Sequence, residues 1–79
     1  MSQTERADYK FVVKEGVPRT AGGEAPTSLM CEPLTRELSI VGEQGFLMIE
    51  LTEGTTWEQA SEVASYLQRH VAGLSFTRF

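Results

Sequence analysis

Apolar residues alternate with polar ones in five short stretches of the chain and recur at helical spacing in one. In "DYKFVVKE" (8–15), Tyr9, Phe11 and Val13 fall on one side and Lys10 and Lys14 on the other, with Val12 between them. That is the pattern of a half-buried strand. "TSLMCEP" (27–33) opposes Leu29 and Cys31 to Met30, and Pro33 ends it or places it at an edge. "RELSIV" (36–41) turns Leu38 and Ile40 inward. "FLMIEL" (46–51) puts Leu47, Ile49 and Leu51 on one face, with Phe46, Met48 and Glu50 on the other. The turn signal "GEQG" joins these last two stretches, so the spacing predicts a hairpin over 36–51.

The helix is predicted over 55–72. Thr55 stands three residues before Glu58, and Thr56 three before Gln59, so a capping box starts at either threonine. Gly73 suits a left-handed cap at the other end. Between them Trp57, Ala60, Val63, Ala64, Leu67 and Val71 span an arc of about 120° at 100° per residue. All six are expected to face the core. "LSFTRF" (74–79) then reads as a last strand.

The resulting fold is α+β, in the order β-β-β-β-α-β: a mostly antiparallel sheet of four to five strands with one helix on one face. A parallel pairing of the last two strands would make a right-handed crossover. Residues 1–7 are polar and read as a flexible N-terminal segment, and 8–79 as a single domain. "GVPRTAGGEAP" (16–26) reads as an open, mobile loop, too long for a tight turn.

Composition narrows the function. With 79 residues the chain makes one small core, and such chains often add disulfides, a metal or a partner. Cys31 is the lone cysteine, so an internal disulfide is excluded, and it fits a reducing compartment such as the cytoplasm. His70 is the lone histidine, and no metal-ligand spacing or cofactor motif is present, so no cofactor is expected. No apolar run reaches membrane-span length, so no membrane association is expected. The net charge of −4 divides into +1 over residues 1–21, −7 over 22–65 and +2 over 66–79. An acidic middle argues against nucleic-acid binding and suits a solubilising surface or a basic partner.

Chemical candidates are few. The loop 16–26 lacks the lysine and following helix of a phosphate cradle. It reads instead as a contact loop, with Arg19 as anchor and Glu24 as polar neighbour. Cys31 is expected to be an inert core thiol, and Glu58 a helix cap rather than a cation ligand.

One helix covers one sheet face, so Phe46, Met48, Val12 or Met30 are left on the other, according to register. These features point to a non-enzymatic protein–protein interaction module, homodimeric. It would make its contacts through that face, an edge strand or the loop. A second reading places a small-ligand or enzymatic site at a subunit interface around Tyr66, His70 and Glu62.

Overall fold

The computed structural model describes residues 3–42 and 44–79. The turn "GEQG" includes Glu43, which lies outside the described residues. The elements are β1 (Gln3–Ala7), β2 (Tyr9–Glu15), β3 (Thr27–Pro33), β4 (Leu47–Glu50), α1 (Trp57–His70) and β5 (Leu74–Arg78). The order β-β-β-β-α-β therefore holds, with one change of membership. Gln3–Ala7 forms a strand, whereas 36–41 forms none.

Every strand pairing is antiparallel. β2, β3 and β4 form one sheet in that order, and β1 pairs with β5 as a separate ribbon. Only Asp8 separates β1 from β2, so one nearly unbroken strand serves both sheets. β5 follows the helix but does not return beside β4, so the parallel crossover is not made.

β1 was expected to be frayed because "QTERA" has no apolar alternation. Its partner, β5, lies some seventy residues away in sequence, and register supplies what hydrophobicity does not. Glu5 sits opposite Phe76, and the hydroxyls of Thr4 and Thr77 are 2.9 Å apart. Ala7, at the inner end, is buried.

The segment 34–41 packs beside β1 through side chains instead of a ladder. The Leu38 N–H donates to the Tyr9 hydroxyl at 2.9 Å, and Arg36 Nη2 donates to the Arg6 carbonyl at 2.7 Å. Ser39 donates through its backbone N–H and its hydroxyl to the Glu5 carboxylate. A turn closed by Val41 N–H on the Leu38 carbonyl then bends the chain away. Leu38 is buried as expected, but Ile40 is 54% exposed, because the turn breaks the alternation that would have carried it inward.

The core consists of Ala7, Tyr9, Phe11, Leu29, Cys31, Leu38, Ala60 and Ala64, with half-buried Val13, Leu47, Ile49 and Leu67 around it. The helix packs on β2 and β3, as expected. Thr56 is its N-cap. The Thr56 side chain accepts from Gln59 N–H, and the Gln59 side chain accepts from Thr56 N–H. Its C-cap is Val71 in extended conformation, so no left-handed glycine cap is used. Gly73 has another role: a Cβ there would stand 3.0 Å from the Ala7 carbonyl, where β5 meets β1.

Trp57 is not in the core. It is 56% exposed, and Val63 is 38% exposed. Trp57 and Val63 are the two ends of the apolar arc, whereas the buried Ala60 and Ala64 and the half-buried Leu67 and Val71 lie between them. The sheet under the helix is too narrow to cover the whole arc. The radius of gyration is 14.0 Å, against about 12 Å for a compact chain of this length. Among the described residues no helix is long and apolar enough to cross a membrane.

Candidate protein-binding surface

Register fixes which side chains share the sheet face away from the helix. Val12 stands opposite Met30, and Met30 opposite Met48, so one apolar row crosses all three strands. Phe46, just before β4, is 69% exposed, and Met48 is 39% exposed. Lys10 pairs with Glu32 on one side of this row. On the other side Lys14 stands opposite Ser28, and Ser28 opposite Glu50.

The loop 16–26 closes over that second side. Its base is a hydrogen bond of 2.6 Å from Gly16 N–H to the Pro26 carbonyl, which continues the β2–β3 ladder. Gly16 sits so close to Ser28 that a Cβ there would lie 2.3 Å from Ser28 Oγ. Ser28 is fully buried as a result, and its hydroxyl has no partner among the described residues. Further out, Arg19 Nη2 meets Glu50 Oε2 at 2.5 Å, with both side chains well exposed.

Arg19, Phe46 and Met48 are thus brought to one region of the molecule. Glu24 is exposed on the same loop. Tyr66 and His70 are elsewhere, on the helix and across the sheet. Their ring centroids are 4.5 Å apart, and Tyr66 is 58% exposed. Glu62 lines a shallow depression with Glu58, Ser61, Ser65 and Arg69 on the outer side of the helix.

Cys31 is buried, and desolvation pushes its thiol pKa up, which keeps it protonated and unreactive. Among the described residues no three His, Cys, Asp or Glu side chains converge to hold a metal ion.

A polar cleft that sequence pattern did not suggest lies between β1, β5 and the 36–39 segment. It is an open depression of ≈ 610 Å³ bordered by Glu5, Arg36, Ser39, Phe76 and Arg78. The Arg78 guanidinium lies 5.6 Å from the Phe76 ring centroid. The Ser39 backbone N–H, then the Ser39 hydroxyl, hold the Glu5 carboxyl below its ordinary range, and Arg36 and Arg78 add to this against a desolvation cost. Its carboxylate is therefore occupied in joining two segments.

No protein-family model, curated protein or solved structure matches the chain.

Proposed function

We propose that the chain is a small non-enzymatic protein–protein interaction module, homodimeric, that docks a protein partner on the outer face of its three-stranded sheet. The observation that supports this reading is the row Val12–Met30–Met48 with exposed Phe46 at its end. A solvated sheet face ordinarily presents polar side chains, and contiguous exposed apolar groups mark interaction sites. Two methionines at the centre give the surface adaptable, polarizable contacts. Lys10, Glu32 and the Arg19–Glu50 pair form a polar rim of both signs, the usual anatomy of a protein interface. The lone buried Cys31 suits a reducing compartment, which accords with a cytoplasmic module.

The test is affinity capture from native lysate with the wild type and a Phe46→Asp/Met48→Asp variant. Both positions are exposed, so the variant is expected to keep its fold, which circular dichroism checks. The expected result is a stoichiometric protein retained by the wild type and lost from the variant. Equal retention by both would remove the sheet face as the docking surface.

A further inference from the structure

The backbone of the β1–β2 strand shows which edges of the molecule are closed. Hydrogen bonding in an antiparallel strand alternates, with successive residues turning their N–H and C=O to opposite sides. The Arg6 carbonyl accepts from Arg36, the Asp8 carbonyl from Leu34 N–H, and Gly16 N–H donates to Pro26. Even-numbered residues of this strand therefore face β3 and the segment that follows it. Phe11 N–H points the other way, and Gln68 Oε1 closes that edge. Thr4 and Arg6 thus turn away from β5. Their register partners Thr77 and Ser75 turn away from β1 in the same manner. Both are exposed, and among the described residues neither backbone has a hydrogen-bond partner on that side. The outer edge of β1 is partly covered, by Arg36 on the Arg6 carbonyl, whereas β5 is open.

We infer that β5 pairs with β5 of a second copy of this chain, antiparallel and centred on Phe76. The inference rests on the self-association part of the reading above and identifies the surface that carries it. Centring on Phe76 sets Ser75 opposite the partner subunit's Thr77, and Thr77 opposite the partner subunit's Ser75. These are the residues whose backbone groups face outward, so the two pairs exchange both their hydrogen bonds. Phe76 meets the partner subunit's Phe76 in the close, non-hydrogen-bonded position, where aromatic pairs gain most. Arg78 lies opposite the partner subunit's Leu74, so no like charges face each other.

The ribbon itself supports this arrangement. Two strands alone are marginal in water, and among the described residues β1–β5 has no third strand. Pairing joins two ribbons into four strands, continuous through Asp8 with the larger sheet of each copy. The open edge of β4 is less suited. It is one residue shorter, and its Glu50 is bridged by Arg19, a charged pair of the kind that guards sheet edges.

Sedimentation equilibrium over a concentration series tests the pairing. The expected mass rises from 8.8 kDa toward twice that value. Thr77→Pro removes an N–H that points out of the ribbon, so it costs no backbone bond between β1 and β5 and only the exposed hydroxyl contact with Thr4, and this variant is expected to stay monomeric and folded. In the wild type, hydrogen exchange at Ser75 and Thr77 is expected to slow as dimer fills. This readout decides the matter even where the proline variant fails to fold. A wild type that remains at 8.8 kDa overturns both the pairing and the homodimer. A dimer with free exchange at Ser75 and Thr77, or with protection at Met48 and Glu50 instead, overturns the pairing alone. Partner capture by the sheet face is read separately through the Phe46→Asp/Met48→Asp variant.

Discussion

Gln68 Oε1 accepts a hydrogen bond from the backbone N–H of Phe11 at 3.2 Å. One side chain of the helix thereby substitutes for a missing strand along the upper edge of β2. It also ties the C-terminal part of α1 to the sheet beside Phe11, a core residue. Among the described residues the N-terminal turn, where Trp57 stands exposed, has no such hydrogen bond to the sheet.

Gln68→Leu is expected to leave the Phe11 N–H unpaired in a partly buried place. The loss is about 1 kcal/mol. For a domain of this size that lowers Tm by roughly 4–8 °C. Thermal unfolding followed at the helical signal checks it, and Gln68→Glu, which keeps an acceptor oxygen, should retain most of the stability.

The same logic makes Trp57 a weak contributor. Trp57→Ala is expected to change stability far less than Phe11→Ala, which empties a buried aromatic site at a cost of about 3–5 kcal/mol. Denaturant midpoints of the two variants, measured side by side, give the comparison. An equal loss in both would show that Trp57 is packed after all.

Sequence pattern is informative wherever one buried face selects the side chains. β2, β3 and β4 follow their alternation residue by residue, and the helix follows its N-terminal capping box and its alanines, though not the expected glycine cap at its other end. It fails where the determinant is polar and distant. Nothing in "QTERA" announces a strand, because its partner is β5 and its outer edge is held by Arg36 and Ser39. "RELSIV" fails for the converse reason. Its apolar residues fit a strand, but Leu38 is buried through the Tyr9 hydroxyl and a turn takes Ile40 outward. For the candidate surface, the faces of Phe46 and Met48 were legible from parity. The Arg19–Glu50 contact was not, because it depends on how an irregular loop folds back.

The Glu5–Ser39 junction gives a pH dependence with a definite sign. Glu5 has its pKa lowered in the folded chain, so its contribution is fully present above the ordinary carboxylate value of about 4.3. It is lost as pH falls through the lowered folded value. The Ser39 amide resonance is expected to move toward its unpaired position over that acid range. Glu5→Gln should abolish the movement and leave the Tyr9–Leu38 contact in place. A wild-type amide that does not respond would mean that the carboxylate does not hold the segment.

Gly16 and Ser28 offer the sharpest test of local packing. The Ser28 hydroxyl is buried without a partner, so Ser28→Ala removes an unpaired polar group and is expected to be neutral or stabilising, by up to about 1–3 kcal/mol. Gly16→Ala is expected to destabilise, because its new methyl would overlap Ser28 Oγ at 2.3 Å and crowd the Pro26 carbonyl at 3.1 Å. Combining the two removes the first overlap, but the Pro26 carbonyl at 3.1 Å and Ser28 Cβ at 3.2 Å still crowd the new methyl. The double variant should therefore recover part of the loss, and residues in direct contact are where such non-additivity is expected. A double-mutant cycle on unfolding free energies measures it. Strict additivity would mean that the loop does not close over Ser28, and that the Lys14–Ser28–Glu50 side of the sheet face stands open to a partner.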